Sequence, residues 1–195
     1  EKQIDLIAED EKRNLEQAIL NQNVTPDDPE WDIEPQYYED RVDFLLPRFF
    51  RSPYLVSLYA VYEVSVMEIA KLIQKGQGQS ISINDIRGKN FLDRASKYYK
   101  HILNFELCTN NLAWQQLKML SEVRNAIAHT NGRIEMLQNN AKRNILEWEK
   151  KRVGIEIIWG YIVVDQNFVE KTFSMVRSSL EDLVERYKQW DTEHK

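Results

Sequence analysis

The stretch that decides the fold is residues 120–132, which read LSEVRNAIAHTNG. It is the tail of a helix predicted over residues 112–129, and the Asn131-Gly132 pair that follows is a typical helix stop signal. Arg124, Asn125 and His129 stand close to that end. The stretch therefore places a permanent cation, an amide and an imidazole within about one and a half helical turns.

Further helices are predicted on both sides of this stretch. A long helix should begin at Pro53, which suits a first turn, and run to Gln74, where a Gly-rich loop ends it. A helix over residues 90–103 lies between these two. Beyond Gly132, residues 134–151 are predicted to be helical in whole or in part. A final helix, capped by Asp165 or Asn167, should run to about residue 190.

The N-terminal part of the chain is predicted to be a helix and an acidic arm. Apolar residues at helical spacing, including Ile4, Ile7, Leu15 and Ile19, predict an amphipathic helix over residues 1–22. The segment TPDDP at residues 25–29 should break it, and a short helix over residues 36–46 should end near Pro47. The arm between them is expected to be anchored by aromatic side chains, namely Trp31, Tyr37 and Tyr38.

One β element is predicted in an otherwise helical chain. Residues 153–164 read VGIEIIWGYIVV, which indicates a small β-hairpin that turns at Trp159-Gly160. The sequence therefore predicts a mainly α protein with a minor β-hairpin. We expect an N-terminal helix and acidic arm over residues 1–40 and one helical domain over residues 41–195, which is long enough to bury a core.

Charge is unevenly spread along the chain. Residues 1–47 carry 14 acidic and 4 basic side chains, whereas residues 48–152 have a net charge of +8, and the whole chain has −5. The total argues against a simple polyanion binder, but the basic middle is compatible with a local phosphate site or with an ordinary solvated surface. The acidic arm would either compete with a nucleic acid at such a site or simply pack as structure.

Several functional classes are disfavoured by composition. The chain has no apolar run of membrane-spanning length and no signal-peptide pattern, and its single cysteine, Cys108, cannot form an internal disulfide, so we expect a cytoplasmic protein. His101 and His194 are far from any Cys/His cluster, so no metal site is predicted. No nucleotide-binding glycine loop is complete, and no cofactor is expected.

The spacing within the motif has a geometric consequence. Asn125 and His129 are four residues apart and share a helix face, whereas Arg124 and His129 differ by about 140° around the helix. One helix alone does not aim both groups at one small substrate, but a two-fold dimer that pairs these helix ends could bring two arginines and two histidines around a shared cleft. The imidazole can relay protons and the guanidinium can grip a phosphate. The plainer alternative is that His129 caps the helix and Arg124 makes a surface ion pair.

On these residues the chain resembles the HEPN superfamily (higher eukaryotes and prokaryotes nucleotide-binding domains). The similar segments are residues 124–132, the helix over residues 52–63 and the segment 86–99, and the specific element is Arg-x4-His. The resemblance covers about residues 41–190. It implies a HEPN-like helical bundle, commonly dimeric and often a metal-independent endoribonuclease of toxin–antitoxin or anti-phage systems. The implied partners are RNA, a second copy of the chain and an antitoxin or defence-system protein.

The resemblance also implies roles for the motif residues. His129 would move protons and Arg124 would stabilise the charge on phosphorus while the ribose 2′-hydroxyl attacks, leaving a 2′,3′-cyclic phosphate. Asn125 takes the place of the polar residue that follows the family's arginine. The toxins of this family that AMPylation silences carry tyrosine two residues after the histidine, whereas this chain has Asn131, so that regulation is not expected.

Other residues are candidates for supporting the site. Lys118, Asn131 and Arg133 are candidate substrate contacts. Glu63, on an apolar helix, either holds Arg124 or Asn125 in place or faces a groove. The main alternative to an enzyme is a catalytically silent HEPN-type module that binds a nucleotide or a partner protein, and a further alternative is a plain helical scaffold.

Overall fold

The computed structural model describes residues 2–22 and 40–194, and within these ranges the protein is mainly helical with one small sheet. This confirms the predicted fold class. The strands β1 (Ile155–Ile158) and β2 (Tyr161–Val164) pair as an antiparallel hairpin. The described α-helices are α1 (Lys2–Gln22), α2 (Leu46–Gly76), α3 (Phe91–His101), α4 (Asn111–Thr130), α5 (Asn139–Lys150) and α6 (Gln166–Glu193).

Side-chain caps set the starts of two predicted helices. The Asn90 carboxamide oxygen accepts from the Asp93 backbone N–H at 2.9 Å, so α3 begins one residue later. Asp165 Oδ1 accepts from the Phe168 N–H at 2.7 Å and caps α6, which decides between the two caps that the sequence offered. Such caps satisfy N–H groups that have no partner within the helix.

The predicted break near Pro47 and the predicted helix start at Pro53 are wrong. A π-helical segment, Asp40–Leu45, leads directly into α2, which begins at Leu46 and contains both prolines. Pro47 is the second residue of α2, and because it has no N–H it cannot donate to a carbonyl of the π-helical segment before it. Pro53 lies inside the helix and is exposed, so its ring projects into solvent, while the hydrogen bond to the Phe49 carbonyl is lost.

The described chain forms two compact units. Unit 1 comprises Glu1–Tyr54 and Thr130–Val169, and unit 2 comprises Leu55–His129 and Glu170–Lys195. Each unit has its own buried apolar side chains. In unit 1 they include Phe44, Ile145, Ile155, Ile162 and Val164. In unit 2 they include Leu55, Tyr62, Val66, Ile73, Leu92, Tyr99, Leu117, Leu120 and Val123.

The N-terminal helix α1 belongs to unit 1, and its Ile4 side chain is buried while Ile7 is half-buried. Whether the first helix is purely structural or also competes with a nucleic acid stays a prediction. The side chains of Leu15 and Ile19 lie outside the described part of the chain. So do residues 23–39, which hold the predicted TPDDP break, the aromatic anchors of the acidic arm and the start of the predicted helix 36–46.

Two tight turns of unit 1 follow the sequence prediction. After α4 ends at Thr130, Asn131 and Gly132 have φ of 51° and 75°, the left-handed backbone expected of an Asn-Gly stop. Trp159 and Gly160 join the strands with φ of 49° and 80°. Both values are positive, as a two-residue hairpin turn of type I′ requires.

None of the helices in the described ranges is both long enough and apolar enough to cross a membrane.

Candidate active site

In unit 2, Arg124 on α4 is fixed by three neighbours. Its Nη1 donates to Asn125 Oδ1 at 2.9 Å, its Nη2 lies 3.7 Å from Glu63 Oε2, and its Cζ stands 5.3 Å from the centroid of the Tyr59 ring. The side chain keeps 23% of its surface exposed. The guanidinium is therefore held in place by a hydrogen bond, an ion pair and an aromatic face, and part of it still meets solvent.

Beneath Arg124 lies a buried polar pair that sequence reasoning missed. The Tyr59 hydroxyl donates to Ser121 Oγ at 3.0 Å, and both residues are 1% exposed. Burial raises the pKa of Tyr59 to about 12. The spacing in the sequence could have predicted this pair. Tyr59 stands four residues before Glu63 and Ser121 stands three before Arg124, so each shares a helix face with its charged neighbour.

The charges of two arginines act on the Glu63 carboxyl. Burial raises the pKa of its carboxyl, and the positive charges of Arg124 and then Arg94 partly counter that rise. The ion pair with Arg124 is one of the two arrangements that the sequence left open for Glu63, and it is observed. Whether it positions Arg124 for chemistry stays a prediction. Arg94 on α3 was not foreseen, because nothing in the sequence links α3 to α2.

His129 differs from Arg124 in its surroundings. It stands in the last turn of α4, its side chain is exposed, and no described residue hydrogen-bonds its ring. The capping role of the plainer alternative is thus not seen. Five residues separate it from Arg124, which corresponds to about 7.5 Å along the helix and about 140° around it. The two groups of one chain therefore leave α4 in different directions.

The predicted substrate contacts fall in both units. In unit 2, Lys118 is exposed and its Nζ lies 5.5 Å from the Trp114 ring. In unit 1, Arg133 pairs with Glu135 and stands 5.7 Å from the Tyr161 ring. Lys118 and Arg133 are both exposed, so each side chain keeps N–H donors that face water.

Asn131, also in unit 1, is engaged by a residue that the sequence did not suggest. Arg48 Nη2 donates to the Asn131 carbonyl oxygen at 2.8 Å and to its Oδ1 at 3.2 Å. The same guanidinium stands 4.2 Å from the Tyr161 ring centroid. Arg48 therefore holds the turn after α4 in place. The predicted substrate role of Asn131 stays a prediction.

The chemistry that this arrangement can support is proton transfer and stabilisation of an anion. An exposed imidazole can take or give a proton, and a fixed guanidinium can stabilise a developing negative charge. Among the described residues, no group of three or more His, Cys, Asp or Glu side chains is placed to hold a metal ion.

Comparison with protein-family models, with curated proteins and with solved structures gives no match to this chain.

Proposed function

We propose that this protein is a metal-independent endoribonuclease of the HEPN type. The observation that carries the proposal is the contrast between Arg124 and His129 on α4: the arginine is held by fixed neighbours, and the imidazole is exposed and unengaged among the described residues. A silent structural histidine would instead be buried and hydrogen-bonded. An exposed imidazole and a positioned cation are suited to phosphodiester cleavage without a metal once both face the same cleft.

In the proposed reaction, His129 takes the proton of a ribose 2′-hydroxyl as that oxygen bonds to the adjacent phosphorus. The bond from phosphorus to the 5′-oxygen breaks, and that oxygen receives a proton. The products are a 2′,3′-cyclic phosphate and a 5′-hydroxyl. Arg124 stabilises the additional negative charge on the phosphorane oxygens. Because Glu63, Asn125 and Tyr59 hold the guanidinium beforehand, little reorganisation is needed at that moment.

The divergence of Arg124 and His129 around α4 leads to the second part of the proposal. We infer a two-fold dimer in which the C-terminal ends of two α4 helices approach, so that each cleft is lined by residues of both copies. The second histidine then supplies the acid while the first acts as base. Light scattering at micromolar concentration should give the mass of a dimer. A strict monomer that retains cleavage would remove the composite site.

Incubation of total RNA with the purified protein in EDTA tests the activity itself. Wild type should produce fragments whose 5′-hydroxyl ends are labelled by a polynucleotide kinase without prior phosphatase. His129→Ala should abolish these fragments and change the unfolding free energy by no more than about 1 kcal/mol, because the side chain is exposed. His101→Ala, an exposed histidine in the last turn of α3, is the matched control and should cleave normally. Undiminished cleavage by His129→Ala would refute the proposal that His129 is a catalytic residue of a ribonuclease.

A role in toxin–antitoxin or anti-phage defence follows from the same resemblance and has its own test. Induced expression of the wild type in bacterial cells should arrest growth, since cellular RNA would be cut. His129→Ala should relieve the arrest at equal protein level. If growth arrest persists in His129→Ala, the toxicity does not depend on the Arg-x4-His motif.

A catalytically silent module that binds a nucleotide or a partner protein is the second candidate. It is favoured by the engagement of both Arg124 terminal nitrogens, one with Asn125 and the other with Glu63. A ligand phosphate would have to compete with these contacts. Nucleotide binding without any RNA cleavage, unchanged by His129→Ala, would support this function over the first.

A further inference from the structure

An exposed tryptophan stands at the tip of the β1–β2 hairpin in unit 1. Trp159 keeps 60% of its surface exposed. Its φ is 49°, and the first position of a type I′ turn normally holds Asn, Asp or Gly, because a bulky residue is strained there. The turn therefore carries a residue that neither its backbone conformation nor burial favours. Backbone strain of this kind clusters at sites that bind ligands.

A row of packed side chains supports the Trp159 ring. The buried Phe44 ring meets it edge to face, with 4.7 Å between the centroids, and also contacts the Tyr161 ring at 5.7 Å. The Arg48 guanidinium stands 4.2 Å from the Tyr161 centroid. These contacts fix the position of the indole ring, while more than half of the residue meets solvent. Trp159 is thus a preorganised platform on which a flat group can stack.

Arg133 places a cation beside this platform. Its backbone pairs with that of Tyr161 in an antiparallel bridge, and its Cζ stands 5.7 Å from the Tyr161 ring centroid. Arg133 Nη2 is already paired with Glu135, but the two side chains are 47% and 62% exposed, and such surface pairs contribute little. A guanidinium has five N–H donors, so the remaining donors of Arg133 can bind an anion while the pair with Glu135 is kept.

The charges near the platform favour a negatively charged ligand. Arg48 and Arg133 carry two positive charges against the one negative charge of Glu135. The stretch that contains Arg133, residues 130–152, has six basic and three acidic side chains. Arg48 Nη2 already donates to Asn131, so Arg48 holds the turn, and Arg133 is the cation that a ligand meets. An aromatic platform beside a cation suits the base and the phosphate of one nucleotide.

Resting on the proposed ribonuclease function, we propose that Trp159 and Arg133 bind a single-stranded segment of the RNA substrate. One base stacks on the Trp159 ring, and the adjoining phosphate accepts a hydrogen bond from Arg133. Stacking on an aromatic ring is available to every base but requires that the base be unpaired. The platform therefore selects unpaired RNA rather than a particular sequence.

Fluorescence anisotropy with a short labelled RNA that cannot pair with itself tests the platform. His129→Ala serves as the background protein, so that the RNA stays intact during the measurement. Trp159→Asn should weaken binding of the single strand by about tenfold, and Trp159→Phe, which keeps a ring, by less than about threefold. The same RNA annealed to its complement should not respond to Trp159→Asn. Phe173→Ala, which removes an exposed aromatic ring from α6, is the control and should bind as the background protein does.

Folding and salt dependence separate the two contacts. Asn-Gly is the preferred pair in a type I′ turn, so Trp159→Asn should melt within about 4 °C of the background protein and keep its salt dependence. Arg133→Gln should reduce the slope of log affinity against log salt concentration by about 0.7, the value for one phosphate contact of a single strand. Arg177→Gln, which breaks a similarly exposed pair with Glu181 on α6, is the matched control and should keep the slope.

The outcomes distinguish this proposal from the ribonuclease proposal. Single-strand affinity that is unchanged in Trp159→Asn overturns the platform, and the exposed indole then fits a protein partner instead. Equal losses in Trp159→Asn and Trp159→Phe also overturn it, because stacking would not explain them. If the wild type still cleaves RNA in either case, the ribonuclease proposal stands. Binding that depends on Trp159 and Arg133, without any cleavage by the wild type, supports the platform and contradicts the ribonuclease proposal.

Discussion

The unequal roles of Glu63 and Arg124 in their ion pair lead to the sharpest stability prediction. We compare Glu63→Gln with Arg124→Gln, because each removes one charge and keeps a polar side chain. We expect Glu63→Gln to unfold with a free energy equal to or higher than that of wild type, within about 1 kcal/mol. Arg124→Gln should lose about 1–3 kcal/mol.

The magnitude follows from the geometry of the pair. At 3.7 Å the attraction is about 4 kcal/mol for an effective dielectric constant of about 20, but the transfer of each ion out of water costs several kcal/mol. Arg124 Nε is also buried and has no hydrogen-bond partner among the described residues, so the pair lacks the two-pronged geometry that makes such bridges strong. Burial is the largest cause of the raised pKa of Glu63, so we expect the cost of desolvation to exceed the attraction.

The pH dependence has a definite sign. Since the folded-state pKa of Glu63 lies above its unfolded value, the carboxyl stabilises the fold fully only below its unfolded pKa, and that contribution is lost as pH rises through the folded pKa. Glu63→Gln carries no such loss. Its stability relative to wild type should therefore rise as the pH increases above about 4.5, the ordinary pKa of a glutamate side chain.

Urea unfolding followed by circular dichroism at several pH values measures these differences. The control is Glu68→Gln, which removes one partner of the exposed Glu68–Lys71 pair and should change stability by no more than about 0.5 kcal/mol. A loss of more than about 1 kcal/mol in Glu63→Gln at pH 7, together with an unchanged Arg124→Gln, would refute the reasoning. It would mean that the attraction, not desolvation, governs the pair.

Three further predictions concern stability and are checked by the same unfolding measurements. Gly154→Ala should lower the free energy of unfolding by at least about 2 kcal/mol, because φ is 93° and a Cβ there would lie 2.8 Å from Phe168 Cβ. Gly160→Ala, with open space around it, should lower the free energy of unfolding by only about 1 kcal/mol. Pro53→Ala should stabilise α2 by about 1–2 kcal/mol, since it restores a helical hydrogen bond at an exposed position. Tyr59→Phe should lower the free energy of unfolding by about 1 kcal/mol at neutral pH, because it removes the hydrogen bond to Ser121. The wild type should also lose stability between pH 10 and pH 12, because the raised pKa of Tyr59 makes its ionisation favour the unfolded chain. That loss should be smaller in Tyr59→Phe.

Most helices and the hairpin follow from local signals in the sequence. Asn90 and Asp165 are side chains that cap helices, and Trp159-Gly160 is a pair that fits a two-residue turn, so each feature is fixed by its own few residues. The errors lie at the prolines. A proline is compatible with a break, with a first turn and with an exposed position inside a long helix, and Pro53 shows that packing of the remaining residues decides among them.

The candidate site was only partly accessible to sequence reasoning. The motif can be read from one short stretch of sequence, because Arg124, Asn125 and His129 lie on one helix. The partners of Arg124 from outside its own helix, Glu63 and Tyr59, come from α2, and no pattern in the sequence fixes which helices meet. Glu63 was found because a charged residue on an apolar helix calls for a partner. Arg94 and the Tyr59–Ser121 hydrogen bond depend on packing, and so does the contact of Trp159 with Phe44.

The division into units bears on how the chain is made in the cell. Unit 1 and unit 2 are each assembled from two stretches that alternate along the polypeptide, so neither is encoded as one continuous segment. A ribosome adding about 5–20 residues per second delivers the motif helix well before the segment that begins at Glu170 and completes its unit. Throughout that interval the newly made motif helix lacks part of its native surroundings, and apolar side chains such as Met175, Val176 and Leu183 have yet to be synthesised. Chaperone demand should therefore stay high until the segment that begins at Glu170 has been added.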